Sequence, residues 1–228
     1  MLESRAISKY FLNKRALEDV TLRIEPGRIY ALLGPNGSGK TTWMKIAASL
    51  TKPSAGEMLF DGDPVGICSR RSVAYMSTEP YFYSWMTIRD VGRYYEDFFE
   101  DFSMELFREL LGKMELSEEL KVKNLSSGMM AKLKIAVTIA RRARVYLLDE
   151  PLNGIDLIAR DRIMETIVGS LEEGVSLVLS SHLVEEIETV VDTAVFIRGG
   201  KIVEICDTEN LRSEHGQSLA DRYREIMQ

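Results

Sequence analysis

Apolar and polar positions along the chain set two rhythms. Over residues 17–24 (Leu-Glu-Asp-Val-Thr-Leu-Arg-Ile) they alternate, the period of a strand with one buried face. Glu25-Pro26-Gly27 turns that strand, and Ile29-Tyr30-Ala31-Leu32-Leu33 then runs apolar throughout, as a strand covered on both faces does. A helical pattern occupies residues 42–50. Lys52-Pro53-Ser54-Ala55-Gly56 interrupts it, and residues 57–60 and 73–76 read as strands with the turn Asp61-Gly62-Asp63-Pro64 between them. These elements predict a β-rich N-terminal layer.

The rhythm changes after residue 80. Ten of the nineteen aromatic residues lie between 81 and 107, on helical spacing, and Thr87-Ile88-Arg89-Asp90 has the form of a capping box with Asp in the Glu/Gln place. Residues 81–142 therefore read as a mostly helical insertion, ending in an amphipathic helix that opens at Leu125-Ser126-Ser127-Gly128-Met129. Beyond it, short apolar strands at 145–148 and 176–180 flank a helical pattern at 158–171. Strand-helix-strand order implies a parallel sheet with ligands gathered at the carboxyl ends of its strands. Residues 193–197 and 201–205 flank Arg198-Gly199-Gly200 as a hairpin, and a short polar helical tail follows. No repeat, low-complexity tract or linker divides residues 1–228, so one compact α/β unit is expected.

Candidate chemistry sits at the predicted strand ends. Gly34-Pro35-Asn36-Gly37-Ser38-Gly39-Lys40-Thr41 follows the first fully apolar strand and precedes a helix. Its glycines let successive backbone N–H groups turn toward an anion, Lys40 can reach the β- and γ-phosphates of a nucleotide, and the Thr41 hydroxyl is placed to ligate Mg2+. Thr42 continues the same helix start. Val145-Tyr146-Leu147-Leu148-Asp149-Glu150 is an apolar strand ending in two carboxylates: Asp149 as a Mg2+ partner, direct or through water, and Glu150 as the base that polarises the attacking water. His182, just past the strand at 176–180, should reach the same sheet edge as a γ-phosphate sensor. Ser126 and Gly128 admit two readings of equal weight, an ordinary helix cap or a second anion site offered to a partner's nucleotide.

Composition narrows this only slightly. With 45% hydrophobic residues, 228 residues can bury a full core. No apolar run is long enough to cross a membrane and no signal peptide opens the chain, which predicts a cytosolic protein. A net charge of -6 offers no bulk attraction to nucleic acid, and none is expected as a partner. Cys68 and Cys206 lack metal or redox spacing and read as buried or inert thiols; His215 carries no assignment.

Taken together and in this order, the segments resemble the nucleotide-binding subunit of an ATP-binding cassette (ABC) transporter over nearly the whole chain. Residues 34–41 match the Walker A motif, 125–129 the signature, 145–150 the Walker B motif, Asn153-Gly154-Ile155-Asp156 the D-loop, and His182 the switch histidine. The resemblance implies a P-loop NTPase (RecA-like) core with an antiparallel β-subdomain and an inserted helical subdomain. It implies ATP and Mg2+ as ligands, with Phe11, or failing that Tyr10, stacking on adenine. It also implies a homo- or heterodimer of such subunits around two ATP, each signature facing the other subunit's γ-phosphate, and separate membrane-spanning permease subunits at the inner face of the cell membrane. Residues 81–85 fall where related subunits form a groove for a short helix of the membrane protein. Core packing is the other reading of Tyr81, Phe82, Tyr83 and Trp85, and Tyr94, Tyr95, Phe98 and Phe99 are expected in the core.

Three departures stand out. Thr78 occupies the place of a Gln that helps position Mg2+ and water, Ser127 and Met129 replace Gly and Gln in the signature, and Leu152 and Leu157 flank the D-loop in place of Thr and Pro. They predict a working but slow ATPase. The signature form and the absence of a C-terminal regulatory domain lean toward exporter-type subunits. A soluble cassette ATPase outside transport, and a nucleotide-switched module with little turnover, are the alternatives.

Overall fold

The computed structural model describes residues 1–12 and 14–227. In chain order its elements are β1 (Leu2–Phe11), β2 (Lys14–Ile24), β3 (Ile29–Leu33), α1 (Lys40–Ala47), β4 (Ala55–Phe60), β5 (Asp63–Pro64), β6 (Val73–Met76), α2 (Ile88–Phe98), α3 (Met104–Lys113), α4 (Ser127–Ile139), β7 (Val145–Asp149), α5 (Leu157–Gly169), β8 (Ser176–Ser181), β9 (Thr193–Arg198), β10 (Lys201–Asp207), α6 (Thr208–His215) and α7 (Leu219–Met227). The strands form two sheets. One is antiparallel with order β2-β1-β4-β5; the other has order β10-β9-β3-β8-β7-β6 and is parallel except for β10, the second strand of the closing hairpin.

The fully apolar runs have a direct structural cause. Along β3, Ala31 and Leu33 enter one core while Tyr30 and Leu32 enter another; along β7, Tyr146 and Leu148 separate in the same way from Val145 and Leu147. Each central strand thus feeds both faces, so polar residues are confined to its ends. On one face lie α1 and the antiparallel sheet, joined around the fully buried Trp43. On the other lie α4, α5 and the helical segment between β6 and β7.

Strand β1 is not apparent in the pattern, for a physical reason. A bulge shifts its register between Ser4 and Ile7, with Ala6 at φ 49, so the buried positions Leu2, Ser4 and Ile7 do not keep a period of two. Ser4 is moreover a polar residue inside the core. Its Oγ accepts from the Trp43 indole at 3.2 Å and from Leu22 N at 2.9 Å, and thereby satisfies a buried donor that Ala would leave unpaired.

In the helical segment, Thr87 and Asp90 form the expected capping box, and their mutual hydrogen bonds hold the Asp90 carboxyl below the usual range. Two expectations fail there. Helix α4 is not amphipathic beyond its first turn: it is buried on almost every side from Leu133 to Ile139, because sheet and helices enclose it. Tyr94 and Phe98 are 40% and 68% exposed rather than core residues, since α2 buries only the side bearing Ile88 and Val91. Cys68 likewise is exposed, whereas Cys206 is half-buried and burial pushes its thiol up to about 11.

Candidate active site

Four neighbouring strands deliver the candidate residues to one sheet edge. In the order β3-β8-β7-β6, their carboxyl ends lead into Gly34, His182, Glu150 and Thr78 respectively. Elements far apart in sequence converge because parallel pairing points every such end the same way.

The cradle is shaped by backbone crowding. A Cβ on Gly34 would lie 2.1 Å from Ile197 O, and one on Gly39, at φ 114, would lie 2.7 Å from Ala16 O. Gly34 therefore lies behind the loop, packed on β9, and does not line the cavity. That cavity, of about 340 Å³, is lined by Asn36, Gly37, Ser38, Gly39, Lys40, Thr41 and Thr42, together with Phe11, Lys14, Ala16, Thr78, Glu150 and Asn153. Phe11 rather than Tyr10 faces it, half-exposed, with the Lys9 ammonium 4.9 Å above its ring. The N-terminus of α1 points its free N–H groups into the same space, a favourable place for an anion.

Lys40, Glu150 and His182 form a connected set. Lys40 Nζ donates to Gly34 O at 2.7 Å and lies 3.4 Å from Glu150 Oε1, while His182 Nδ1 is 2.9 Å from Glu150 Oε2. Glu150 Oε1 is buried and has no hydrogen bond, and Ser38 Oγ in the cradle has none either. Two buried polar atoms without hydrogen bonds at a cavity wall, one of them facing only the Lys40 ammonium, mark a place built for a polar ligand. Glu150 itself sits at φ 49, a left-handed conformation costing roughly 1–2 kcal/mol for a side chain of this kind. It is stabilised by Ser180, whose Oγ accepts from Glu150 N at 2.9 Å and donates to Asp149 Oδ1 at 2.6 Å.

Asp149 is fully buried, and Tyr75 OH donates to its other oxygen at 3.4 Å. Burial, and then the charge of Asp149, push the Tyr75 phenol up, so it remains a donor. A carboxylate held in this way does not line the cavity and fits a metal through water better than directly. Among the described residues no three His, Cys, Asp or Glu side chains converge as a metal site. One carboxylate with threonine hydroxyls is nevertheless a donor set suited to Mg2+ bound with nucleotide phosphates, which needs few protein ligands. Ser180 and Tyr75 escaped the sequence reading; the only signal was the polar pair Ser180-Ser181 ending a strand with an apolar interior.

Ser126 and Gly128 are not brought to this cavity. Ser126 is exposed and caps α4, its Oγ accepting from Met129 N at 3.2 Å. Gly128 is required where it stands, since a Cβ there would lie 2.9 Å from Gly154 O, joining the start of α4 to the segment after Glu150.

A two-faced parallel sheet with a glycine cradle at one strand end, a lysine and a glutamate lining its cavity, a histidine bonded to that glutamate and a buried aspartate before it, defines an ATP-binding P-loop protein. Comparison with known proteins narrows the class. The family model described as ABC transporter matches residues 17–153. The ABC transporter ATP-binding protein YtrB of Bacillus subtilis (strain 168) is 30% identical over 94% of this chain and 75% of its own length. The lantibiotic transport ATP-binding protein SrtF of Streptococcus pyogenes is 32% identical over 92% of this chain and 94% of its own. A solved structure titled as the ATP binding subunit of an ABC transporter superposes with a TM-score of 0.87 at 26% identity, covering 99% of both chains. The chain belongs to the ABC transporter family, as one of its ATP-binding proteins, an ATPase by class.

Proposed function

We propose that this chain hydrolyses MgATP at the cavity between the cradle and Glu150, in a site completed by a second subunit, and thereby drives separate membrane-spanning subunits in export. The observation that carries the reading is the Lys40–Glu150–His182 set around the cradle. Cradle N–H groups and Lys40 bind the β- and γ-phosphates, Lys40 exchanging its bond to Gly34 O for phosphate oxygens. Phe11 offers a ring face to the adenine. Glu150 orients a water against the γ-phosphorus and takes its proton; the new P–O bond forms as the β–γ bridging bond breaks, its electron pair leaving on ADP. His182 fixes Glu150 through Oε2, leaving Oε1 for the water. Mg2+, when bound, neutralises charge on the phosphate oxygens; Thr41, Thr78 and, through water, Asp149 would hold it.

The second subunit, a copy of this chain or a related one, is inferred from Ser126 and Gly128. They form an anion-competent helix start that the chain's own cavity does not use. No helix among the described residues is long and apolar enough to cross a membrane; in the proposed function partner subunits span it, with this chain at their cytoplasmic side. Export accords with the signature form and with a relative, SkfE of Bacillus subtilis (strain 168), named for SkfA peptide export.

The partner's place is the aromatic groove of about 300 Å³ between the segment after Thr78 and α2. Tyr83 and Trp85 stack with centroids 5.8 Å apart and are 59% and 66% exposed, and the open Phe98 lines the same groove as Tyr83. Tyr81 shows part of its ring while its hydroxyl turns inward toward Thr138 and Tyr95, where desolvation raises its pKa. Such a patch suits an amphipathic helix. A Tyr83→Ser/Trp85→Ser variant is expected to keep the ATPase rate of the isolated chain within about twofold but to lose co-purification with its membrane subunits, since aromatic anchors dominate such contacts. Undiminished co-purification would remove the groove from the interface. The hydrolytic reading is tested by steady-state ATP turnover of the purified chain.

A further inference from the structure

Lys134 is out of character with its surroundings. It is 6% exposed, on a helix face between the fully buried Leu133 and Ile135. Buried ammonium groups are costly unless their donors are met. Here Nζ donates to Ser77 O at 2.9 Å and to Thr78 O at 2.8 Å, across the gap between α4 and the segment leaving β6. Burial pushes the Lys134 ammonium below the usual lysine range, and the charge of Asp149 partly offsets this. A second cavity, of about 260 Å³, brings Lys134 together with Thr78, Pro80, Ser127, Glu150 and Asn153. It shares Thr78, Glu150 and Asn153 with the nucleotide cavity.

We propose that Lys134 is a positioning residue for ATP hydrolysis: by anchoring the carbonyls of Ser77 and Thr78, it locks the loop bearing Thr78 to the helix that begins at Ser126. The packing alone does not call for it. An apolar residue of similar volume would fill the site without the desolvation cost, and often stabilises a fold when it replaces a buried charge. What only the ammonium supplies is a pair of charge-assisted bonds to a loop with few other ties. Through them, a shift of α4 when its N-terminus meets a partner's nucleotide would move Thr78 at the chain's own site. Thr78 has a shorter side chain than the Gln it replaces, so its placement depends on the backbone to which Lys134 is bound.

The inference rests on the ATPase reading only for its effect on turnover; the anchored loop is a property of the chain alone. The test is Lys134→Met, with Lys134→Gln as a second variant that keeps N–H donors but no charge. In protein without added nucleotide, amide exchange at Thr78 and Glu79 is expected to quicken about tenfold in Lys134→Met, with the thermal midpoint unchanged or raised. With MgATP, kcat is expected to fall about tenfold while KM changes less than about threefold, and the Gln variant should fall between. Unchanged exchange at Thr78 and Glu79 would overturn the proposal. So would a loosened loop with undiminished kcat, or a rise in KM equal to the loss in kcat. Absence of turnover in the unsubstituted chain would instead fail the hydrolytic reading and leave the exchange result standing.

Discussion

Glu150→Gln is expected to lower kcat for ATP by about a hundredfold or more while leaving nucleotide affinity within about threefold of the unsubstituted chain. The amide keeps the length of the side chain, and its oxygen can still accept from His182 Nδ1, which lies 2.9 Å from Oε2. The left-handed backbone at φ 49 and its support from Ser180 are unaffected by the exchange. What disappears is the proton acceptor and the charge facing Lys40 at 3.4 Å. Without the base, ATP persists in the closed site, and the 25.9 kDa chain should accumulate as a dimer in MgATP. An unchanged kcat would show that Glu150 is not the base, and turnover would have to be ascribed to a contaminant or to other groups.

Gly34→Ala is expected to abolish ATP binding and to destabilise the fold by about 1–3 kcal/mol or more, as overpacking against backbone does. The new methyl would lie 2.1 Å from Ile197 O, which cannot yield without parting β9 from β3, and 2.7 Å from Ser38 Oγ. Gly37→Ala is the control. Its Cβ would meet nothing within 4 Å, and only the conformation at φ 79 opposes it, a cost of about 1–2 kcal/mol. Thermal melts and fluorescent-ATP titrations of both variants check the contrast; equal loss in both would mean that the cradle fails through backbone strain and not through its seat on β9.

The difference between these two glycines also shows how far the sequence could be read. The motif identified the cradle but could not tell which glycine touches ligand and which touches β9, because Ile197 is remote in sequence. Strands β3, β7, β8 and β9 were legible since burial on both faces confines polar residues to strand ends, and the Thr87–Asp90 cap was legible because it is local. Strand β1 was hidden by its bulge, and α2 was misjudged because aromatic residues on helical spacing look the same whether they pack inward, as Phe107 does, or stand open, as Phe98 does. Lys40, Glu150 and His182 come together because they follow neighbouring parallel strands. Tyr75, Lys134 and Ser180 did not announce themselves. Each makes a contact with Asp149 or with the Thr78 loop that exists only once the sheet has assembled.

A site shared between two copies of the chain is open to a mixing experiment. On the proposed reading, Lys40→Ala removes the phosphate-binding ammonium of one cradle and Ser126→Arg blocks the helix start offered to the other, so each variant alone should be inactive in ATP turnover. A mixed dimer holds one intact site, formed by the cradle of the Ser126→Arg chain and the signature of the Lys40→Ala chain. An equimolar mixture is therefore expected to recover roughly a quarter of the unsubstituted rate, half of the dimers being mixed with one of two sites working. A mixture no more active than its separate components would contradict a site shared between two copies.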